Sequence, residues 1–103
     1  MAEPVERPHP TVPEITKATA IYFGISKLDM LSQRRQSDLT LARQIAMYLS
    51  LTLTLRSMPY IGRQIGGRHH TTVIHGSRKI QGEILAGNEI VIKAVDHLMA
   101  QFS

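Results

Sequence analysis

Residues 66–73 read Gly66-Gly67-Arg68-His69-His70-Thr71-Thr72-Val73, and they separate two segments whose apolar residues recur at helical spacing. Before them, Ser57 can cap a short helix that carries Pro59 in its first turn. Adjacent glycines enter left-handed backbone conformations at little cost and permit a sharp change of direction. A second helix then begins at about Arg68. Its predicted inner face consists of Val73, Gly76, Ser77 and Ile80. This order of elements predicts a helix-turn-helix.

Two further helices are predicted upstream of this motif. The first starts near Glu14 and ends at Gly24, because a set of residues between them falls at three- and four-residue spacing. The set is Ile15, Ala18, Thr19 and Tyr22. Ser26 can cap a short second helix in which Leu28 and Leu31 point inward.

A longer helix is predicted from about Leu39, because apolar residues recur there at helical period. They are Ala42, Ile45, Ala46, Leu49 and Leu53. Residues 51–55, Leu-Thr-Leu-Thr-Leu, alternate as a half-buried strand would. A lone strand would find no partner elsewhere in this chain and would leave its backbone groups unsatisfied, so we predict helix.

The two ends of the chain differ in composition from its middle. Residues 1–13 hold four of the five prolines, which predicts an extended, mobile arm. A helix-turn-helix domain is predicted over residues 14–82, followed over residues 83–103 by an amphipathic C-terminal helix interrupted at Gly87-Asn88. The apolar residues of this last helix either cover the flank of the domain or pair two chains as a homodimer. The predicted fold class is all-α.

Length and composition exclude several classes of protein. A chain of 103 residues forms one small domain. The absence of cysteine removes disulfides, thiolate zinc sites and thiol nucleophiles, and suits a reducing compartment. No apolar run approaches the roughly 18 residues that a membrane span needs, and the first residues lack the layout of a secretory signal. We therefore expect a cytoplasmic protein with no membrane partner.

Catalytic and metal-binding patterns are also missing from the sequence. His69, His70 and His75 are spaced so that they diverge around a helix, and no acidic residue lies near them to complete a metal site. Ser57 and Ser77 lack the strand-turn-helix elbow and the oriented acid of a hydrolase. No phosphate-binding Gly-x-x-x-x-Gly-Lys-Ser/Thr loop is present. We expect no enzyme, no cofactor and no small-molecule substrate.

Basic residues concentrate in the middle of the chain. Between Arg34 and Lys79 there are eight basic residues and one acid, Asp38, whereas the flanks hold four basic residues and seven acids. Such a distribution is typical of a protein with a polyanion partner, because each phosphate that is neutralised releases condensed counterions. The residues that open the predicted second helix carry hydrogen-bonding and methyl groups suited to reading base edges. Double-stranded DNA is therefore the predicted partner.

The residues themselves resemble a known family, the C-terminal DNA-binding domain of the bacterial replication initiator DnaA. The signature of that family reads roughly Gly-Gly-Arg-Asp-His-Thr-Thr-Val, then Leu or Ile, then His and, a little later, Arg-Lys-Ile. This chain has the segment 66–75 and then Arg78-Lys79-Ile80. The resemblance continues upstream through residues 59–62, 42–47 and 31–35, and covers about residues 14–82. It implies the Trp-repressor-like, all-α fold of DnaA domain IV.

The resemblance also implies roles for individual residues. Arg35 matches an arginine that enters the minor groove. His70, Thr71 and Thr72 match residues that face bases in the major groove, and Arg68 and His69 are predicted to face DNA because they too open the second helix. Arg43 and Gln44 match a pair that holds phosphates, and Lys79 matches a basic residue on the second helix; these contacts fix register more than sequence.

Three departures from the family pattern qualify this expectation. His69 stands where the family has aspartate, so a donor to guanine replaces an acceptor from cytosine. Leu51 stands where the family has lysine, which removes one phosphate contact. The 103 residues contain no ATPase motif, so we expect that they do not melt an origin alone.

Two functions are consistent with these features. The first is sequence-specific binding of a DnaA-box-like site, as a transcription regulator or a modulator of replication initiation associated with the nucleoid. The alternative is a protein-interaction module that binds a protein partner through the C-terminal apolar stripe.

Overall fold

The computed structural model describes residues 10–102, and in this range the chain forms six α-helices and no strand. The helices are α1 (Val12–Phe23), α2 (Lys27–Leu31), α3 (Ser37–Leu53), α4 (Met58–Gln64), α5 (His70–Leu85) and α6 (Glu89–Gln101). The predicted all-α class and the helix-turn-helix formed by α4 and α5 are confirmed. No helix in this range is long and apolar enough to cross a membrane.

The first helix begins earlier than the sequence analysis placed it. Thr11 caps α1 in a capping box: its hydroxyl accepts from the Glu14 amide at 3.2 Å, and the Glu14 carboxylate accepts from the Thr11 amide at 2.8 Å. Val12 and Pro13 therefore belong to α1, because proline is tolerated in a first turn. The arm was predicted over residues 1–13, but residues 12 and 13 are helical. Residues 1–9 of the predicted arm lie outside the described range.

The inward face of α2 was wrongly predicted. Ser26 caps the helix as expected, but Leu28 is 81% exposed and Leu31 is half-buried. Met30 points inward instead and is fully buried. A helix of five residues is too short for its apolar spacing to define a face, so packing against the rest of the chain decides which residue is buried.

The long helix α3 is the centre of the molecule. Two clusters of buried residues share it: one joins α3 to the helix-turn-helix and the other joins α3 to α1, α5 and α6. The strand-like residues 51–55 are helical through Leu53, as predicted, and become extended at Thr54. Gly76 on α5 lies against α3, where an added Cβ would be 3.0 Å from Met47 Sδ and 3.2 Å from Gln44 Cγ. Gly76, predicted on the inner face of this helix, thus lies where α3 and α5 approach each other closely.

The C-terminal part of the chain is continuous with the domain. The predicted boundary between residues 82 and 83 falls inside α5, which ends at Leu85. Asn88 then caps α6 by accepting from the amides of Ile90 and Val91. The buried face of α6 joins the second core cluster through Val91, Ala94, Val95 and Leu98. The helix therefore covers the flank of its own domain, while Leu85 at the end of α5 is 82% exposed.

Candidate nucleic-acid interface

The turn between α4 and α5 is built on two left-handed glycines. Gly66 and Gly67 have φ values of 77° and 70°. An added Cβ on Gly66 would also lie 2.6 Å from the Leu31 carbonyl oxygen, so the turn sits directly on the end of α2. The Arg68 amide donates to the Gly62 carbonyl at 2.7 Å and closes the turn. These contacts fix where α5 begins relative to the preceding helices.

The second helix of the motif begins at His70, two residues later than predicted. His69 has extended backbone angles and is the N-cap: its Nδ1 accepts from the Thr71 amide at 3.3 Å. The imidazole rings of His69 and His70 lie 4.2 Å apart between centroids. All four residues from His69 to Thr72 are exposed, so the start of α5 presents an open polar edge.

Arg68 was expected to face DNA, and the structure places its side chain differently. The guanidinium is half-buried, and it donates to the carbonyl oxygens of Ile65 at 2.9 Å and Ser32 at 2.7 Å. Burial lowers the pKa of Arg68, and the nearby charge of Arg43 lowers it further. The side chain therefore joins the turn to the α2–α3 loop.

Arg43 also differs from its expected role as a phosphate contact. Its side chain is 4% exposed, and the guanidinium donates to the carbonyls of Met30 at 2.8 Å and Asp29 at 2.6 Å. It also donates to the Arg34 carbonyl and the Ser32 hydroxyl. Burial lowers the pKa of Arg43, and the charge of Asp29 partly opposes this effect. A buried guanidinium that is satisfied by carbonyls holds the chain in place and leaves no exposed face for a phosphate.

The α2–α3 loop, residues 32–36, carries Arg35 and is fastened to the turn. In addition to the bonds from Arg43 and Arg68, the Gln33 side-chain amide donates to the Gly66 carbonyl at 3.1 Å. Arg34 pairs with Asp29 at 3.2 Å. Arg35 is exposed and makes no hydrogen bond or ion pair within residues 10–102. The loop thus presents one free guanidinium at a fixed position relative to α5.

Gln44 and Lys79 lie on helices that face each other. Gln44 is half-buried on α3, and its Cγ packs at the glycine on α5. Lys79 is exposed on α5 and pairs with Glu83 at 3.5 Å. The pKa of Glu83 is lowered chiefly by the hydrogen bond from the Asn88 side chain; burial opposes this shift, and the charge and hydrogen bond of Lys79 add smaller lowering effects.

His75 is a further candidate that the predicted residue set omitted. It is exposed on α5, and spacings of three and four residues place it on one helix face with Thr72 and Lys79. Gln33 was also omitted, because nothing in the sequence around a loop glutamine predicts its hydrogen bond to the Gly66 carbonyl. No group of three His, Cys, Asp or Glu side chains suited to a metal ion occurs in the described range.

We define the reading surface as the exposed residues Arg35, His69, His70, Thr71 and Thr72. The first lies on the α2–α3 loop, and the others form the cap and first turn of α5. Hydrogen bonds between loop 32–36 and the turn hold the two parts together. A cation on a loop beside polar groups at a helix start can contact two grooves of a duplex.

Comparison with known proteins gives a consistent result. A sequence profile described as the bacterial dnaA protein helix-turn-helix matches residues 12–80 of this chain. The chromosomal replication initiator protein DnaA of Xanthobacter autotrophicus is 48% identical over 86 residues, which cover 84% of this chain and 17% of that protein. The protein of the same name from Rhodopseudomonas palustris strain HaA2 is 42% identical over 101 residues, which cover 98% of this chain and 21% of that protein.

The comparison also defines which part of those proteins is matched. The DnaA of a Bradyrhizobium strain is 44% identical over 92 residues, which cover 89% of this chain and 19% of that protein. The chain thus spans about a fifth of the length of these curated relatives. The matched part is the helix-turn-helix domain and not the ATPase domain, so it corresponds to a non-enzymatic part of those proteins.

Proposed function

The chain belongs to the bacterial DnaA helix-turn-helix family of DNA-binding domains, and on this premise we propose that it recognises a short duplex sequence related to the DnaA box. The observation that carries the proposal is the reading surface: four exposed polar residues at the start of α5, fastened to a loop with the free guanidinium of Arg35. Bases are read at the helix start, and Arg35 enters the adjacent minor groove.

Contacts with bases and contacts with phosphates belong to different residues of the chain. The reading surface distinguishes base pairs, with Arg35 selecting a groove narrowed over A·T steps. Gln44, His75 and Lys79 contact phosphates and set the register, which adds affinity for every sequence. Arg43 and Arg68 serve as positioning residues, because their guanidinium groups bind the backbone that carries the reading surface.

The biological role is proposed at the level of site occupancy. By binding DnaA-box-like sites, the chain regulates transcription or modulates replication initiation from the nucleoid, in the cytoplasm. Its 103 residues contain no phosphate-binding loop, and the proposal assigns them no ATPase activity. A homodimer through α6 would have to use exposed residues such as Ile90, because Val91, Val95 and Leu98 are buried within the chain itself.

The alternative of a protein-interaction module is not favoured. It relied on the apolar stripe of the last helix, and that stripe is taken up by the core of the same chain. Within the described residues, α6 has no second apolar face that could bind a partner. Ile90 is the one large hydrophobic residue of this helix that is strongly exposed.

Binding to duplex DNA across a salt series tests the proposal. Fluorescence anisotropy would compare a labelled DnaA-box duplex with a scrambled duplex of the same composition. We expect the DnaA-box duplex to bind about 10³-fold more tightly, near the lower end for specific DNA-binding proteins. Both affinities should fall as salt rises, because counterions are released on binding. Equal affinities for the two duplexes at every salt concentration would remove the claim of specificity.

A further inference from the structure

The N-cap of α5 uses one ring nitrogen of His69, and this contact bears on which nitrogen carries the proton. The Thr71 amide donates a hydrogen bond to His69 Nδ1 at 3.3 Å. A backbone N–H can only donate, so Nδ1 must keep its lone pair. A neutral imidazole carries one proton, and that proton therefore resides on Nε2. The positive end of the helix favours a lone pair at this position.

A second contact joins the same ring nitrogen to the hydroxyl of Thr71. Thr71 Oγ1 lies 3.0 Å from His69 Nδ1. When the proton is on Nε2, the hydroxyl and the amide of Thr71 share the one lone pair of Nδ1, the hydroxyl at the shorter distance. The lone pairs of Oγ1 then remain as acceptors for other groups. The ring of His70 packs beside that of His69, with 4.2 Å between the centroids.

We propose that this cap sets the hydrogen-bond polarity that His69 and Thr71 present to DNA: a donor at His69 Nε2 and an acceptor at Thr71 Oγ1. The inference deepens the proposed function and rests on it, since it concerns which base pair the same surface selects. His69 is then a specificity-determining residue whose tautomer is chosen by the helix it caps.

The chemistry of base edges converts this polarity into a base preference. In the major groove, guanine offers two acceptors, N7 and O6, whereas cytosine offers only its amino donor. A fixed donor at Nε2 therefore favours guanine and opposes cytosine at the base pair that it faces. Aspartate, which the related signature carries at this position, would also cap the helix, but its carboxylate is an acceptor and favours cytosine.

The first test measures the tautomer in the free protein, without DNA. Long-range ¹H–¹⁵N correlation spectra of the ¹⁵N-labelled chain at about pH 8, where an ordinary histidine is neutral, separate the two ring nitrogens. We expect His69 to have a protonated Nε2 and an unprotonated Nδ1. His75, exposed on the same helix, is the internal reference for a ring without this cap. A proton on Nδ1 of His69 would overturn the proposal.

The second test selects bound sequences from random duplex DNA with three proteins. The wild type should enrich guanine at one position of its motif. His69→Asn keeps an oxygen for the cap and an outward amide donor, so its preference should stay with guanine. His69→Asp presents an acceptor, so it should shift that one position to cytosine and change the relative affinity for the two bases about tenfold in each direction.

The outcomes separate the two claims. If His69→Asp enriches the same motif as the wild type, the polarity inference fails while sequence-specific binding stands. If His69→Asn shifts in the same way as His69→Asp, donor polarity is not what the base pair senses, and the inference again fails. If the wild type enriches no motif, the proposed function itself fails, whatever tautomer the spectra show. Circular dichroism of both variants verifies that the helices are retained.

Discussion

Arg43 keeps its charge in the interior because the backbone supplies the oxygens that its guanidinium needs. An unpaired buried cation is costly, but donors from this side chain reach the carbonyls of Met30, Asp29 and Arg34. The end of α2 and the start of the following loop are thereby held against α3. A single side chain thus connects the core to the loop that carries Arg35.

Replacing Arg43 should affect stability more than it affects DNA contacts directly. We expect Arg43→Ala to lower the free energy of unfolding by about 2–4 kcal/mol, because it removes several buried hydrogen bonds and the packing of the side chain. Arg43→Lys should lose less than Arg43→Ala, because the lysine ammonium still reaches some of these oxygens, although fewer than the guanidinium does. Urea denaturation measures both.

Arg35→Ala is the matched control for this measurement. Arg35 is exposed and has no partner within residues 10–102, so its loss should change stability by no more than about 0.5 kcal/mol while weakening DNA binding. The reverse pattern, in which Arg43→Ala keeps full stability but loses affinity, would return Arg43 to the role of a phosphate contact.

At this scale the sequence predicted residue types better than residue orientations. The sequence analysis predicted that Arg43 and Arg68 contact DNA, but a one-dimensional motif does not distinguish a guanidinium that faces phosphate from one that faces carbonyls. The run from His69 to Thr72 is exposed, as base reading requires, and its contact with DNA stays a prediction. The cap formed by His69 was missed, because histidine is not among the residues that usually mark a helix start.

At the scale of the helices, the packing of α5 against α3 holds the helix that carries most of the reading surface. Gly76 permits it, and a larger residue there would press on Met47 and Gln44. We expect Gly76→Val to lower the free energy of unfolding by about 1–3 kcal/mol through overpacking. The measurement is again urea denaturation, with DNA affinity determined in parallel.

Gly82 provides the control on the same helix. An added Cβ at Gly82 meets nothing within 4 Å, so Gly82→Ala should raise the free energy of unfolding by about 0.5–1 kcal/mol through helix propensity alone. If Gly76→Val were as stable as the wild type, the two helices could separate at this point without cost, and close packing would not support α5.

Helix positions were predictable where a long apolar period or a strong cap marks them. The existence of α3, α4 and α5 followed from spacing, and Pro59 marked the first turn of α4. The short helix α2 was misoriented, because Leu28 and Met30 are both apolar and only tertiary packing chooses between them. The start of α1 was placed two residues late, because its proline-containing first turn resembles the arm before it.

Across the whole molecule, basic charge and the reading surface occur in the same middle part of the chain. Lys79 lies on α5 in this part, whereas Lys93 lies on α6 outside it, and both are exposed. If Lys79 neutralises a phosphate, Lys79→Ala should weaken DnaA-box and scrambled duplexes by the same factor. It should also reduce the slope of log K against log salt by about 0.9.

Lys93→Ala tests whether net charge alone explains such an effect. It removes the same charge from α6, outside residues 34–79, so it should leave the salt slope unchanged. Equal slopes for Lys79→Ala and Lys93→Ala would mean that the DNA responds to the overall charge of the protein and that Lys79 makes no defined contact.

The fastening between loop 32–36 and the turn bears on how this surface can evolve. Arg43, Arg68 and Gln33 grip main-chain oxygens, and every amino acid supplies those oxygens. The side chains at positions 34, 35 and 70–72 make none of these bonds, so exchanging them leaves this fastening intact. Mutation and selection can then change the DNA sequence that the domain recognises while the loop and the turn keep their relative positions. The domain is therefore a suitable starting point for a library of variants with altered DNA specificity.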